Sequence, residues 1–239
     1  MGVLKSVGAI LLVVFAGVTG LLLGERIQAA KPARAVDTAA APLPKDVNPD
    51  SLNRLPLIKR EDMDDYGKKV FDEQNGPVSK SWSGGRAALR LYSPRLAKSM
   101  ADAHTYLKFE SGLGDRLTEI AVLTTARAIN HQFEWTQWEI HGRMDGSFHV
   151  EPEIIDIIKF NKPVVGLGEK ETVIINFGRE LFGKQKVSSE TFAHALRLFG
   201  PRGVVDLTNL MAIYNATALE MDAFDQHLLP GQEPMLPQR

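Results

Sequence analysis

The chain has 239 residues, and 28 Lys and Arg side chains nearly balance 29 Asp and Glu side chains, for a formal net charge of −1. This balance, without a basic stripe, argues against a nucleic-acid partner. Because there is no cysteine, disulfides, a thiolate nucleophile and thiol peroxidase chemistry are excluded. The fold must therefore depend on a conventional apolar core.

The N-terminal segment is typical of an exported protein. Lys5 precedes an apolar run from Val7 to Gly24, and Ala29 and Ala30 offer small residues for cleavage. We therefore predict that residues 1–29 are an export signal and that the protein is periplasmic or otherwise extracytoplasmic. The run is also close to the length that spans a bilayer, so an uncleaved membrane anchor is the alternative.

Composition divides the remaining chain into three parts. Residues 30–57 are rich in Ala, Pro, Asp and Asn and lack an apolar period, which predicts a flexible linker. Residues 58–229 carry the helical patterns of a folded domain, and residues 230–239 are predicted to be a tail.

Apolar residues at helical spacing predict an all-α domain. Asp115 is the predicted N-cap of the helix that follows it, Gly200-Pro201 ends another helix, and no segment has the alternation of a half-buried strand. The predicted helices cover residues 61–75, 94–109, 116–128, 133–144, 151–160, 169–182, 188–199 and 204–223.

One predicted helix carries a concentration of polar and aromatic residues. Glu134, Gln137, Trp138 and His141 lie at positions i, i+3, i+4 and i+7, so they share one face. Histidine is the side chain whose ordinary pKa lies nearest neutrality, which makes His141 the natural proton carrier. Glu119 lies on the preceding helix, which can fold back against this one. We predict Glu119, Glu134 and His141 as catalytic residues.

Four neighbouring residues are predicted to bind substrate. Arg127 supplies a cation for a substrate carboxylate, and Trp135 and Trp138 supply apolar walls. His131 lies at the junction of the two helices. The alternative is a buried ion-pair network of Glu119, Arg127 and Glu134 that only joins the helices, since such networks also perturb pKa values.

No metal or cofactor is predicted. Glu134 and His141, with Glu119 or His131, present oxygen and nitrogen ligands. However, the chain has no HExxH motif or comparable metal-binding spacing.

At these residues the chain resembles the carboxymuconolactone decarboxylase family, which includes the alkyl hydroperoxidase D proteins. The first half of the matching pattern is Arg116-Leu117-Thr118-Glu119, Ala126-Arg127, Phe133-Glu134-Trp135 and His141. The second half is Glu171, Glu180-Leu181, Val187-Ser188-Ser189-Glu190-Thr191-Phe192 and Tyr214. The resemblance covers about residues 60–225.

The resemblance implies an all-α, alkyl hydroperoxidase D-like helical domain that forms a homo-oligomer, a trimer or a hexamer. Glu134 and Gln137 occupy the positions of the Cys-x-x-Cys pair of the hydroperoxidase branch. The chain is therefore nearer to the cofactor-free decarboxylase branch, in which the family's Glu and His are candidate proton carriers.

Two functions of different classes follow. The first is a cofactor-independent lyase or isomerase that acts on a small carboxylated compound, such as a lactone, by Glu/His proton transfer. The second is a non-catalytic oligomeric helical module in the periplasm, in which the polar network serves assembly only. Membrane contact is expected only through the N-terminal segment, if it is not cleaved.

Overall fold

The described part of the chain is built from helices and contains no strand. The computed structural model describes residues 42–76 and 86–237, so the predicted export signal lies outside it. The helices are α1 (Asp65–Asn75), α2 (Arg86–Arg90), α3 (Pro94–Thr105), α4 (Asp115–Ala128), α5 (Gln132–Gly142), α6 (Pro152–Lys159), α7 (Glu169–Gly183) and α8 (Ser189–Ala223). The predicted all-α class is confirmed.

Helix α4 is the centre of the core. It packs against α5, α6, α7 and α8, and every residue from Thr118 to Ala126 is buried. A carboxylate is almost never fully buried unless it is paired, so Glu119, which is fully buried on this helix, is unusual. The approach to α7 is close at Gly178, where an added Cβ would lie 2.6 Å from a methyl carbon of Thr124.

Backbone conformation explains where two helices begin and bend. Gly200 has a φ of 68° and interrupts α8 before Pro201, as the sequence predicts. Helix α4 begins at Asp115, with Gly114 in the cap position at a φ of 84°, so the prediction of Asp115 as N-cap is corrected by one residue. Asp115 instead places a negative charge in the first helical turn, which the helix dipole favours.

The predicted linker requires a correction at its C-terminal part. The side chain of Asn53 is buried and donates to Gln226 Oε1 at 3.0 Å. The backbone N–H of Arg54 donates to the carbonyl of Phe224 at 2.9 Å. These residues are therefore attached to the end of α8 rather than free in solvent.

The predicted tail also packs on the domain. Leu236 is buried, and the N–H of Met235 donates to Thr136 Oγ1 on α5 at 3.2 Å. A polar composition concealed these contacts, because they depend on a few side chains rather than on an apolar period. None of the described helices has the length and apolarity needed to cross a bilayer.

Candidate active site

Glu119 and His141 are brought together where α5 folds back on α4. The reversal occurs at Asn130, which has a φ of 55°, a conformation that asparagine tolerates better than most residues. His141 Nδ1 then lies 3.1 Å from Glu119 Oε1. Gly142 makes room for this approach, since an added Cβ would lie 3.4 Å from Glu119 Cγ. The structure thus joins two of the three predicted catalytic residues.

The environment of this pair is asymmetric. The Glu119 side chain is 0% exposed, whereas that of His141 is 37% exposed. Neither Glu119 oxygen, nor His141 Nδ1, has a hydrogen bond of good geometry to the described residues. The two groups are therefore close, but their orientation does not give a hydrogen bond. Buried polar atoms normally have hydrogen-bond partners, so these three atoms mark a site that can form further hydrogen bonds.

The contact also limits the tautomer of His141. An ionised carboxylate only accepts hydrogen bonds, so the charged form of Glu119 favours a proton on His141 Nδ1. In the neutral ring Nε2 then holds the lone pair. Because Nδ1 is buried while the ring is partly exposed, Nε2 is the nitrogen suited to exchange a proton with a molecule from solvent.

Lys108 belongs to the same site, and sequence reasoning missed it. Its side chain is 4% exposed, and Nζ lies 3.7 Å from Glu119 Oε2. Nζ also lies 3.6 Å from the centroid of the Trp138 ring and 4.9 Å from that of Phe148. A lysine is almost never fully buried unless it is paired. The site therefore contains a carboxylate, an imidazole and an ammonium group.

Aromatic rings surround these charged groups. The Trp138 ring centroid is 5.4 Å from that of His141 and 5.3 Å from that of Tyr214, both edge to face. The Phe148 centroid is 5.2 Å from that of His141, and Tyr214 Oη lies 3.1 Å from His104 Nε2. These distances are within the range of favourable aromatic pairs. Of the two predicted tryptophan walls, Trp138 lines the site.

Glu134 is hydrogen-bonded to Trp138. Its carboxylate is buried and accepts a hydrogen bond from Trp138 Nε1 at 2.6 Å. The indole contacts both Glu134 and the His141 ring. This contact makes Glu134 a residue that orients Trp138, and any effect of Glu134 on His141 through this contact is indirect.

Trp135 and His131, which were predicted to bind substrate, have structural positions. Trp135 is fully buried and donates its Nε1–H to Glu139, away from the His141 face. His131 Nδ1 accepts from the N–H of Glu134 at 3.1 Å and so caps α5. Its Nε2 lies 3.2 Å from Asp222 Oδ1. These contacts give both residues a structural role, and the substrate-binding roles predicted for them stay predictions.

Arg127 lies at the far end of α4 from the site. It is eight residues after Glu119, which is roughly 12 Å along a helix. Its Nε donates to the carbonyl of Lys159 at 2.7 Å, and Nη1 donates to Asn130 Oδ1 at 3.1 Å. Burial and the charge of Arg127 lower the pKa of the adjacent Arg179. Arg127 therefore binds the last carbonyl of α6 and the Asn130 side chain, and its predicted contact with a substrate carboxylate stays a prediction.

An open cleft of about 890 Å³ lies elsewhere, beside the starts of α4 and α7. Its main cation, Arg116, is bound to Glu151 at 2.7 Å and to Glu171 at 2.6 Å. Burial lowers the pKa of Arg116, but these two hydrogen bonds outweigh it and the pKa is raised. Arg116 is thus already paired with two carboxylates. Across residues 42–76 and 86–237, no group of three or more His, Asp or Glu side chains is placed to hold a metal ion.

Comparison with known proteins identifies the fold. No family model matches the chain, and no curated protein matches it. A crystal structure matches with a TM-score of 0.53 and 13% sequence identity, over 77% of this chain and 98% of the other. It is the alkylhydroperoxidase AhpD core of an uncharacterized peroxidase-related protein from Ralstonia eutropha JMP134.

The chain has the alkylhydroperoxidase D-like fold. The resemblance found in the sequence is thereby confirmed at the level of architecture. In this alkylhydroperoxidase D-like domain, the buried carboxylate comes from α4 and the imidazole from α5. The fold alone does not determine the chemistry of the site, which depends on these side chains.

Proposed function

We propose that the protein is a cofactor-independent lyase or isomerase that transfers protons on a small carboxylated compound, such as a lactone. The observation that carries the proposal is the pairing of buried Glu119 with partly exposed His141, at 3.1 Å between Oε1 and Nδ1. A buried carboxylate behind an imidazole orients the ring and stabilises its protonated form. The other ring nitrogen is then available to carry protons to and from a substrate.

Proton transfer explains what these residues do in either reaction. In the lyase reaction, the bond to the carboxylate breaks, CO2 leaves, and the electron pair forms an enolate. Protonated His141 then delivers its proton to carbon and takes up another from solvent. In the isomerase reaction, neutral His141 removes a proton from one carbon and returns it to another. Glu119 stabilises the imidazolium in both.

The lack of cysteine directs the proposal away from peroxide chemistry. The matching crystal structure is named as peroxidase-related, but this chain contains no thiol. Peroxide reduction by a thiolate pair needs a cysteine. Glu134 and Gln137 cannot supply that chemistry, whereas Glu119 and His141 can supply acid–base catalysis.

The test uses carboxymuconolactone as the probe and the full-length protein. We expect CO2 release, or uptake of deuterium into the lactone in D2O as seen by proton NMR. His141→Ala should lower either rate by about 100-fold or more, the usual contribution of a positioned acid–base group.

Arg127→Ala is the matched control, since Arg127 lies outside the site. It should lose stability through its bonds to Lys159 and Asn130 but keep its turnover below the melting temperature. If the folded wild-type protein shows neither CO2 release nor deuterium uptake, this substrate class is ruled out.

A specific surface feature favours self-assembly, which we propose as well. Val205, Ala212 and Leu219 are exposed at seven-residue spacing on α8, so they form an apolar stripe along one face. A homo-oligomer would bury this stripe. If turnover is absent, a non-catalytic oligomeric module in the periplasm is the function that this stripe supports.

Light scattering coupled to gel filtration tests the assembly. We expect a trimer or a hexamer for the wild-type protein and smaller particles for Leu219→Glu. Glu190→Gln, which removes a charge from an exposed residue near the start of α8, should keep the wild-type mass. A monomeric wild-type protein at micromolar concentration would contradict the proposal. Export to the periplasm stays a proposal that rests on the pattern of residues 1–29.

A further inference from the structure

The geometry points to Lys108 as an oxyanion-binding catalytic residue: its ammonium group stabilises the negative charge that develops on a substrate carbonyl oxygen. This inference rests on the proposed proton-transfer function and assigns it a further residue. It also narrows the substrate class, because the carbon that loses CO2 or a proton must be conjugated to a carbonyl group. A carboxylated lactone with such a carbonyl meets this requirement.

The Lys108 ammonium lies in a nearly closed environment, with Glu119 Oε2 at 3.7 Å and the Trp138 and Phe148 ring centroids at 3.6 and 4.9 Å. The separation from Glu119 is too long for a hydrogen bond, so charge rather than a directed bond holds this pair. In surroundings of low polarity, a fixed charge acts on a substrate far more strongly than it does in water.

The backbone supports this position. Residues Tyr106–Glu110 form a π-helical turn that continues α3, and both Leu107 and Lys108 are buried in it. A π turn widens the helix and changes the direction of the side chains that follow, and such turns are frequent at functional sites. Leu107 packs in the main core, while Lys108 reaches Glu119 on α4 and Trp138 on α5.

The neighbours of Lys108 favour a charged ammonium over a nucleophilic amine. A carboxylate at 3.7 Å and an indole face at 3.6 Å both stabilise a positive charge. A lysine that forms a Schiff base needs the opposite setting, with apolar burial or a second cation that favours the neutral amine. Lys108 is therefore suited to electrostatic stabilisation rather than to covalent catalysis.

The bond between carbon and the carboxylate breaks, CO2 leaves, and its electron pair moves through the conjugated system to the carbonyl oxygen. The resulting enolate oxygen pairs with the Lys108 ammonium. Protonated His141 gives its proton to carbon, and the carbonyl group forms again. The net reaction consumes one proton and releases one CO2.

This assignment agrees with the principle of differential binding. The carbonyl oxygen carries little charge in the substrate and nearly a full charge in the enolate, so Lys108 stabilises the transition state more than the ground state. Loss of the ammonium should therefore lower kcat much more than it changes KM.

The kinetic test compares Lys108→Met with Lys108→Arg on carboxymuconolactone. Methionine keeps the length of the side chain and removes its charge, so we expect kcat to fall by about 100-fold or more with KM changed less than about threefold. Arginine retains the charge and should recover part of kcat. Equal kcat for wild-type protein and folded Lys108→Met would overturn the inference while leaving the proposed function intact.

A second measurement needs no turnover. 4-Nitrophenol, buffered below its pKa, is titrated with the wild-type protein, and absorbance of the yellow nitrophenolate is recorded. We expect the bound molecule to be the phenolate in the wild-type protein and to lose that absorbance in Lys108→Met. If the wild-type protein binds phenolate in this manner but does not turn over the lactone, the oxyanion site stands and the proposed function fails.

If Lys108→Met does not fold, the titration of the wild-type protein alone tests the oxyanion site. Binding of the neutral phenol, or no binding, by the folded wild-type protein overturns the inference. Phenolate binding that carboxymuconolactone displaces supports it.

Discussion

Glu119→Gln is expected to lower kcat for carboxymuconolactone by about 100- to 10,000-fold, the range associated with the loss of a positioned acid–base group. Glutamine has nearly the same shape as glutamate but lacks its charge. It no longer stabilises a protonated His141, whose Nδ1 faces Glu119 Oε1 at 3.1 Å. The proposed function therefore assigns this buried carboxylate to the positioning of the His141 ring.

The comparison variant is Glu134→Gln, which removes a second buried carboxylate, this one on α5. Glu134 accepts from Trp138 Nε1 at 2.6 Å, and the amide oxygen of glutamine can accept the same bond. We therefore expect a smaller loss of kcat than in Glu119→Gln. Steady-state kinetics on both variants, with melting curves, measure the difference. A larger loss for Glu134→Gln would show that Glu134, and not Glu119, is the main proton-transfer partner.

Stability must be separated from catalysis in this comparison. Glu119 also faces the Lys108 ammonium at 3.7 Å, so glutamine leaves a buried cation with less compensation. The kinetics should accordingly be measured well below the melting temperature of the least stable variant. Retention of wild-type kcat by a folded Glu119→Gln protein would contradict the proposed function.

The helices were predictable because their apolar residues recur at the helical period. The break at Gly200 was also predictable, since Gly-Pro ends a helix by local sterics. The position of Lys108 was not. A regular helix that begins at residue 94 gives no reason to expect that Lys108 is buried. The π turn at Tyr106–Glu110 depends on packing against α4 and α8. Local sequence does not encode that packing.

Two physical features of the site could not be predicted from the sequence. Residues of one helix can share a face and still lie far apart along the axis, which is the case for Arg127 and Glu119. A tryptophan can also reach a carboxylate four residues before it or after it. Trp138 donates to Glu134 and lines the site, whereas Trp135 donates to Glu139 and is part of the core. Only the surrounding helices decide between these directions.

The buried network around Glu139 has no predicted role in catalysis, and its loss is expected to lower stability strongly. Glu139 is fully buried and accepts a hydrogen bond from Trp135 Nε1. Its carboxylate also binds Arg143 at 2.7 Å and Lys159 at 2.9 Å. Since Lys159 is the last residue of α6, this one carboxylate joins α5 to α6.

Glu139→Gln is therefore expected to destabilise the protein by about 3–5 kcal/mol, because it leaves partly buried cations without their counter-charge. For a domain of this size that corresponds to a fall in melting temperature of roughly 10 °C. Calorimetry or circular dichroism measures the change. Below the lowered melting temperature, kcat should remain near the wild-type value, since Glu139 lies outside the group formed by Lys108, Glu119 and His141.

The matched control is Glu169→Gln. Glu169 also pairs with an arginine, Arg197, at 3.3 Å, but both side chains are more than half exposed. An exposed ion pair contributes at most about 1 kcal/mol, so the melting temperature should change little. Equal effects of Glu139→Gln and Glu169→Gln on stability would mean that the Glu139 network is solvated. A large loss of kcat in Glu139→Gln at full stability would instead place this carboxylate in the catalytic chemistry. The two carboxylates Glu119 and Glu139 thus differ in their expected effect on turnover, since only Glu119→Gln is expected to lower kcat strongly, although both are buried on adjoining helices.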